Sequence, residues 1–236
     1  MILAILQVRM TSPRLPGKAM ELLCGEPMIW RQIERIRQAR SVAKVVVATS
    51  AEPSDDVLAS FLVARGQTVF RGATSNLAQR FMRCVDAAGA VTHVVRLKGD
   101  SPFVDPAIID ETARTAAVTR KPYVSNRVHP TYPRGLEVEI ATVEALACAA
   151  AEMDALAAAE SSPMGWLRAQ PERFARAHVR SRRDWSGLDW RVKTPADLAF
   201  ARGVYDALYP ADPRFGLEDV LDVLQGRQDL ARYATA

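Results

Sequence analysis

Cysteine and histidine are scarce in this sequence, with three of each among 236 residues. The cysteines are far apart and odd in number, which predicts neither a disulfide framework nor a zinc site and is typical of a reduced, cytoplasmic protein. The histidines have no metal-ligand spacing, and His93 alternates with apolar residues as a core or sheet-face residue would. Because a Gly-x-Ser-x-Gly elbow and a reactive-cysteine context are also lacking, we do not expect a covalent nucleophile.

Long apolar runs and lysine are also rare. No run approaches the ~20 apolar residues that span a bilayer, and the apolar start has neither a basic region nor a cleavage site, so we expect no membrane segment and no secretory signal. Only five of the 31 cationic residues are lysine, and the net charge is +4. No basic run is interleaved with aromatic residues. The sequence therefore predicts a cytoplasmic protein that binds an anionic ligand. We expect this protein to contact neither nucleic acid nor membrane.

Apolar residues make up 49% of the chain and form short buried runs in its first half. These runs predict strands at residues 1–6, 44–50, 67–70 and 91–97. Helical patterns separate them, beginning near Pro27, Ser54, Asn76 and Asp105. Strands that alternate with helices at this spacing indicate right-handed βαβ units. We therefore predict one α/β domain over residues 1–236, with a predominantly parallel twisted sheet flanked by helices.

The pattern changes after residue 121. Residues 123–126 predict a strand, a loop with two prolines follows, and residues 136–140 alternate as a half-exposed strand would. We interpret residues 122–141 as a possible excursion from the main sheet, used for acceptor binding or dimer contacts. The later predictions are helices at 142–153, 195–208 and 217–224, and strands at 174–180 and 188–192.

The first strand leads into a stretch that we call the basic loop, Gln7–Lys18. Its two prolines fix φ and remove backbone donors, so it continues neither as helix nor as sheet. It follows the carboxyl end of a strand, where open α/β sheets bind ligands. Arg9, Arg14 and Lys18 have no acid among them and repel one another unless an anion lies between them. A triphosphate meets that need, and a solvated basic loop is the alternative.

The fourth predicted strand is followed directly by Gly99-Asp100-Ser101-Pro102. Gly99 lets the backbone approach a ligand closely. Asp100 would then lie at the same sheet edge as the basic loop. Mg²⁺ favours one or two carboxylates together with phosphate oxygens and water. Asp100 is therefore the candidate metal ligand, with a helix cap as the alternative.

Residues 9–18 read Arg-Met-Thr-Ser-Pro-Arg-Leu-Pro-Gly-Lys and closely resemble the signature of the sugar-acid cytidylyltransferases. That superfamily includes the CMP-sialic acid and CMP-KDO synthetases, and the resemblance is closest to its spore-coat polysaccharide branch. The stretch is not a Walker P-loop, because it lacks Gly-x-x-x-x-Gly-Lys-Ser/Thr. Residues 99–102 resemble the family's Gly-Asp-x-Pro metal motif. The resemblance covers nearly the whole chain.

The resemblance implies a Rossmann-like, GT-A-type nucleotidyltransferase. The implied reaction transfers CMP from CTP to a sugar acid and releases pyrophosphate, for surface polysaccharide or glycoconjugate synthesis. Mg²⁺ is the implied cofactor and a homodimer the implied assembly. The second half adds to the resemblance through residues 123–126 and 132–139, near which the family places acceptor contacts.

The candidate site residues fall into three groups. The catalytic candidates are Arg9, Lys18 and Asp100. The nucleotide-binding candidates are Gln7, Val8, Arg9, Arg14, Lys18, Arg71, Asn76 and Arg80. The acceptor-binding candidates are Asn126, Tyr132, Arg134 and Lys193.

Physical reasons support several of these candidates and leave alternatives. Helix N-terminal amides with Arg71 or Arg80 suit a base or phosphate, while Arg80 equally suits a surface helix position. Guanidinium binds carboxylates bidentately, which makes Arg134 a plausible clamp for an acid. Tyr132 equally suits a packing position.

Two positions depart from the family pattern. Relatives read Val-Asp-Thr-Pro before the late helix, whereas this chain has Lys193 where the second metal carboxylate is expected. A lysine ammonium does not ligate a cation, although it can stand where the metal charge would be. Asp189 shares the predicted strand face but is about 13 Å away along an extended chain, so it is a poor substitute. Residues 160–163, Glu-Ser-Ser-Pro, lack the histidine of the family's Glu-His-Val-Thr-Pro-like sequence.

These departures keep two rival hypotheses open. The first is a nucleotide-binding homologue that has lost transfer activity. The second is a nucleotidyltransferase for another base, or for a non-sugar acceptor such as a phosphonate or an alcohol.

Overall fold

A seven-stranded sheet organises the computed structural model, which describes residues 1–72, 74, 76–153 and 162–231. The strands of this sheet are β1 (Ile2–Gln7), β4 (Val42–Ser50), β5 (Val69–Gly72), β6 (His93–Lys98), β7 (Tyr123–Ser125), β8 (Glu139–Thr142) and β9 (Arg176–His178). A separate hairpin consists of β2 (Leu22–Leu23) and β3 (Glu26–Pro27). The helices are α1 (Met28–Arg37), α2 (Asp56–Ala64), α3 (Leu77–Ala88), α4 (Pro106–Thr119), α5 (Val143–Glu152), α6 (Pro163–Arg168), α7 (Pro195–Leu208), α8 (Leu217–Gly226) and α9 (Gln228–Ala231).

The strand order is β5-β4-β1-β6-β8-β7-β9, with β1 near the centre. β1 pairs in parallel with both β4 and β6, and β5 continues the parallel part beyond β4. β8 runs antiparallel between β6 and β7, while β9 is parallel to β7. The prediction of a predominantly parallel sheet flanked by helices is therefore confirmed. The apolar run at the start of the chain is fully buried from Leu3 to Leu6, as a central parallel strand requires.

Helices cover both faces of the sheet. Buried residues of α1, α2, α4, α7 and α8 form one core cluster, and those of α3, α5 and α6 contribute to the clusters on the other face. The predicted apolar stripe of α1, Ile29, Ile33 and Ile36, is fully buried. None of the helices in the described parts of the chain is both long and apolar enough to cross a membrane.

Two strand predictions in the second half need correction. The alternating stretch at 136–140 enters the sheet only at Glu139, and Glu139 is buried rather than solvent-facing. The alternation suggested an exposed position for Glu139, whereas arginine side chains pair with its carboxylate and cover it. Residues 188–192 form no strand and contribute a single bridge, between Asp189 and Arg134. β7 and β8 belong to the main sheet, so only the residues between them leave it, at the end where β1 and β6 also finish.

Asp105 fixes the beginnings of two helices on the same face of the sheet. Its Oδ1 accepts a hydrogen bond from the backbone of Ala107 (2.8 Å), which confirms the predicted start of α4. Its Oδ2 accepts from the backbone of Leu217 at the start of α8 (2.9 Å). One buried carboxylate therefore accepts hydrogen bonds from backbone donors at the starts of two helices, donors that have no partner within their own helix. Leu217 is 112 residues from Asp105 in the sequence.

We predict that Asp105→Ala lowers the free energy of unfolding by roughly 2–3 kcal/mol, because two helix caps are lost together. Urea unfolding followed by circular dichroism measures this change. Thr142→Ala is the matched control, since Thr142 caps only α5 and should cost about 1 kcal/mol. Equal losses in the two variants would contradict the double role of Asp105.

Candidate active site

β1 and β6 end side by side, and this junction forms a cavity of about 210 Å³ that we call the first cavity. Gln7 is paired in register with Lys98, and the backbone of Gly99 donates to Gln7 O at 2.8 Å. Five of the predicted site residues line the first cavity. They are Gln7, Val8, Arg9, Lys18 and Asp100. The structure therefore brings the basic loop and the proposed metal ligand together, as the sequence predicts.

Gly99 is required at this junction for a reason different from the expected one. A Cβ on Gly99 would lie 2.6 Å from the side chain of Val8, which is closer than real contacts allow. The glycine therefore lets the 99–100 segment pack directly against the basic loop. Close approach to a ligand is not needed to explain it.

The three cations of the basic loop have different surroundings. Arg9 and Arg14 are exposed and make no hydrogen bond or ion pair with the described residues. Lys18 instead donates from Nζ to the carbonyl of Val192 at 2.6 Å. Burial lowers the pKa of Lys18, with Asp100 opposing that shift and Arg14 adding to it. Lys18 is thus a positioned cation and not a freely moving one.

Asp55 holds the basic loop in place, a role that no sequence motif indicates. Its Oδ1 accepts from the backbone of Met10 at 2.7 Å. Its Oδ2 accepts from the Thr49 hydroxyl (2.7 Å) and from the Ser50 backbone (2.9 Å). Asp55 is at the N-cap position of α2, but its carboxylate makes no cap hydrogen bond there. It ties the end of β4 to the basic loop instead.

Asp100 lines the first cavity, and its role as a metal ligand remains a prediction. The cap alternative is wrong, because Asp105 caps α4. Ser101 donates to Asp100 Oδ1 at 3.2 Å, and the first cavity is open beside the carboxylate. Within the described residues, no three or more His, Cys, Asp or Glu side chains group around a possible metal position. A single carboxylate fits Mg²⁺ only when phosphate oxygens and water complete its shell, and that is the usual way in which Mg²⁺ is held.

Lys193 does not line the first cavity. Its Nζ donates to Asp189 Oδ2 at 2.6 Å, and Arg191 pairs with the same carboxylate at 2.5 Å. Burial alone would raise the pKa of Asp189, but these hydrogen bonds bring it to about 2. The expectation of a wide gap between residues 189 and 193 assumed an extended strand, whereas the segment is irregular and the lysine side chain reaches Asp189. The Lys193 ammonium is therefore paired with the Asp189 carboxylate, and its relation to a bound metal ion remains a prediction.

The residue next to Lys193 is nevertheless part of the site. The Val192 carbonyl holds Lys18, and its backbone N–H donates to the carbonyl of Asp100 at 2.8 Å. The late segment therefore supports both sides of the first cavity through its backbone.

Gln7 is oriented by a buried ion pair beneath the first cavity. Arg96 donates to Gln7 Oε1 from two nitrogens, at 3.0 and 3.2 Å, and to Glu139 Oε2 at 2.8 Å. Tyr123 and Arg168 donate to the other oxygen of Glu139 at 2.7 and 2.9 Å. Against the effect of burial, Arg96 and these partners hold the pKa of Glu139 below its usual value. Because guanidinium only donates, the Gln7 amide oxygen must face Arg96, which leaves its NH₂ group to point elsewhere.

Arg71 lies outside the first cavity and braces a neighbouring loop. It donates to the carbonyls of Ser50 and Glu52 at 3.0 and 2.9 Å and pairs with Asp56 at 2.6 Å. These contacts fix the loop that carries Asp55. The structure does not place Arg71 at the cavity, so a nucleotide contact remains a prediction.

Asn76 and Arg80 mark the start of α3. Asn76 Oδ1 accepts from the backbone of Gln79 at 2.9 Å and caps the helix. Arg80 is 3% exposed, so the surface alternative for this residue is wrong. Burial lowers the pKa of Arg80, and the nearby charge of Arg9 acts in the same direction. The first turn of α3 is therefore close to the basic loop, although neither residue lines the first cavity.

A second cavity, of about 300 Å³, contains three of the four acceptor candidates, Asn126, Tyr132 and Arg134. Both ends of the Asn126 amide are already used, by Leu136 O at 2.7 Å and by the backbone N–H of Val138 at 2.9 Å. Asn126 therefore shapes this cavity. The Arg134 guanidinium makes no hydrogen bond or ion pair with the described residues, which leaves it able to bind an anion.

The second departure from the family pattern lies mostly beyond the described structure. Residues 160 and 161 are outside the described residues. Ser162 accepts from the backbone of Gly165 at 3.1 Å and caps α6.

We predict that Asp55→Asn lowers the free energy of unfolding by roughly 1.5–3 kcal/mol, because a charged acceptor of buried donors is lost. Hydrogen bonds from Ser50, Met10 and Thr49 keep the pKa of Asp55 below its usual value despite burial. Its contribution is thus complete above about pH 4 and is lost as the pH falls through the native pKa. Urea unfolding at a series of pH values should show the two proteins converging in acid.

Asp56→Asn provides the neighbouring control. Asp56 is exposed and its pair with Arg71 lies at the surface, so its loss should change stability by at most about 1 kcal/mol. A pH-independent difference between wild type and Asp55→Asn would show that the charge of Asp55 is not what stabilises the loop.

Comparison with known proteins supports the resemblance. A family model described as Cytidylyltransferase matches residues 3–188. The spore coat polysaccharide biosynthesis protein SpsF of Bacillus subtilis is 37% identical over 113 residues, which are 46% of this chain and 47% of SpsF. The 3-deoxy-manno-octulosonate cytidylyltransferase of Geobacter metallireducens is 34% identical over 110 residues, 47% of this chain and 42% of that protein. The chain thus matches about half the length of these curated relatives.

The fold itself is shared over the full chain. A cytidylyltransferase structure from Leptospira borgpetersenii serovar Hardjo-bovis superposes with a TM-score of 0.91, covering 100% of this chain and 98% of the other at 23% identity. That identity establishes a common fold alone. The family model spans most of the chain and includes the basic loop, Asp100 and residues 126–137 of the second cavity. The chain therefore belongs to the cytidylyltransferase family.

Proposed function

We propose that this protein transfers CMP from CTP to a sugar acid and releases pyrophosphate. The observation that carries the proposal is the first cavity, where Arg9, Lys18 and Asp100 meet at the ends of β1 and β6. Cations and a metal-binding carboxylate in one cavity suit a triphosphate with its metal ion. The named activity of the octulosonate relative supports a sugar acid as acceptor.

The chemistry asks the protein for position and charge stabilisation. An acceptor hydroxyl oxygen forms a bond to the α-phosphorus and its proton passes to water. The bond from that phosphorus to the bridging oxygen breaks, and pyrophosphate leaves with the electron pair. Arg9 and Arg14 offer guanidinium donors to the phosphates, and Lys18 is held in place to offset the growing negative charge. Asp100 would hold Mg²⁺, which, when bound, neutralises phosphate charge.

The acceptor would occupy the second cavity. Arg134 is the candidate for its carboxylate, because guanidinium forms bidentate pairs with carboxylates and this one is uncommitted. Residues 126–134 leave the sheet at the same edge as the basic loop, so both substrates approach one edge. A cytoplasmic location and a homodimer remain predictions.

The two rivals are tested directly. A homologue without transfer activity would bind CTP and form no pyrophosphate in a coupled turnover assay. A protein for another base would prefer a different nucleoside triphosphate when all four are compared. The ion pair between Lys193 and Asp189 counts against the first rival, because Lys193 does not line the first cavity.

We predict that Lys18→Ala weakens CTP binding by roughly 1.5–3 kcal/mol, about ten- to a hundredfold in Kd, because a charge-assisted hydrogen bond to phosphate is lost. Isothermal calorimetry measures the difference. Lys121→Ala is the control, since Lys121 is exposed at the far end of α4. Wild-type affinity in Lys18→Ala would remove Lys18 from the binding site.

We predict that Asp100→Asn abolishes the Mg²⁺ dependence of CTP binding while nucleotide affinity without metal stays within a few-fold of wild type. The amide keeps the shape of the carboxylate but not its charge. Calorimetric titrations with and without MgCl₂ measure both quantities. Asp86→Asn, at an exposed position of α3, should behave as wild type.

Lys193→Asp tests the departure at position 193 in the same assay. If Lys193 is held by Asp189 outside the site, the variant should leave Mg²⁺ affinity without nucleotide unchanged. Tighter metal binding in Lys193→Asp would show that position 193 faces the metal after all.

A further inference from the structure

A third cavity, of about 1260 Å³, adjoins the second one and is not used by the proposed reaction. Its walls come from the starts of α4 and α8 and from residues 180–185. Tyr132 lines both this cavity and the second one. We call it the arginine cavity after six residues in its lining: Arg40, Arg114, Arg180, Arg182, Arg183 and Arg214.

Most of the acids in this lining are already committed. Asp105 caps two helices, Asp219 accepts from the backbone of Gly216 at 2.7 Å, and Glu111 pairs with Arg114 at 3.2 Å. Glu218 is the remaining acid. The other five arginines make no side-chain hydrogen bond or ion pair with any described residue. With six arginines and four acids, the lining has a formal excess of two positive charges.

The lining of the arginine cavity also contains two aromatic residues. Tyr132 and Trp185 line it, and the Trp185 backbone donates to Thr131 O at 2.9 Å, which fixes this residue beside the boundary between the two cavities. An excess of cations around a concave surface gives a positive potential inside it and attracts anions. Several guanidinium groups together with two aromatic side chains suit a phosphate group on a sugar, because guanidinium binds phosphate bidentately.

The sizes of the two cavities point to a long acceptor. The second cavity is at the lower limit for small-molecule pockets, about 300 to 1,000 Å³. A ligand that passes Tyr132 reaches the arginine cavity as well. Its acid end would then lie near Arg134 and its far end among the arginines.

We propose that the arginine cavity binds a phosphate group, and that the acceptor is a sugar acid carrying this phosphate at the end remote from its carboxylate. The identity of the acceptor rests on the proposed function. Phosphate binding in the arginine cavity does not, and the two are measured separately.

The first experiment titrates the full-length protein with inorganic phosphate and follows the indole ¹⁵N–¹H signal of Trp185 by NMR. We expect a saturable shift at Trp185 that persists when CTP occupies the first cavity. The same titration on Arg182→Ala/Arg183→Ala should give at least a tenfold larger Kd. An unshifted Trp185 signal would overturn the proposal.

The matched control is Arg83→Ala/Lys121→Ala, which removes two exposed cations outside this cavity. Its Kd for phosphate should stay within twofold of wild type. Equal weakening in the two double variants would mean that net charge alone attracts phosphate, and would also overturn the proposal. Circular dichroism of all three proteins checks that each is folded.

The second experiment compares 3-deoxy-manno-octulosonate with its terminal phosphate ester as acceptors. We expect a lower KM for the ester in wild type, and loss of this preference in Arg182→Ala/Arg183→Ala with kcat unchanged. Equal KM values in wild type would overturn the assignment of a phosphorylated acceptor. If neither compound is turned over, the proposed function is in question, and the phosphate titration still decides whether the arginine cavity binds phosphate.

Discussion

The parallel pairing of β1 with β6 is the constraint on which the rest of the site depends. Because Gln7 and Lys98 are neighbours in register, the basic loop and the 99–102 segment must leave the sheet at the same place. Val8 and Gly99 then pack so closely that only glycine is tolerated. The cations and Asp100 thus come together through the sheet and not through direct contacts with each other. A shift of one residue between these strands would separate them and turn β1 over.

Around this junction, charges are arranged on two levels. The basic loop offers cations with few acidic partners, and beneath it Glu139 gathers guanidinium groups in a nearly dry environment. Removing one member of such a buried set leaves uncompensated charge and is costly, about 3–5 kcal/mol. The buried level therefore fixes Gln7 firmly, while exposed Arg9 and Arg14 remain free to adapt to a ligand. The buried charges therefore keep the site rigid, and the exposed cations are the ones available to contact a ligand.

Periodicity in the sequence is enough to predict most of the fold, because it depends on local residue order. The buried run of β1, the stripe of α1 and the proline-led start of α7 are each legible within a few residues. The basic loop and Asp100 are equally local motifs, and the structure brings them together. The local pattern fails where a charged residue is covered by distant parts of the chain, as with Glu139, whose alternation resembles that of an exposed strand.

Asp55 and Asp189 illustrate the same difficulty in the site. Asp55 lies in a stretch with a good capping sequence, and only the folded chain shows that Met10, 45 residues earlier, competes for its carboxylate. Asp189 seemed too far from Lys193 because a strand was assumed between them. In both cases three-dimensional packing decides which groups the carboxylate contacts, and the sequence pattern does not show these contacts.

The hydrogen bond from Lys18 to Val192 also has a consequence for the order in which the parts of the site form during synthesis. It joins positions 174 residues apart. During synthesis the basic loop is made well before Val192, whose carbonyl fixes its lysine. A nascent chain can therefore build β1, β4 and β6 and still present an untethered lysine. The position of the Lys18 ammonium is set only when the segment around Val192 folds back onto the basic loop.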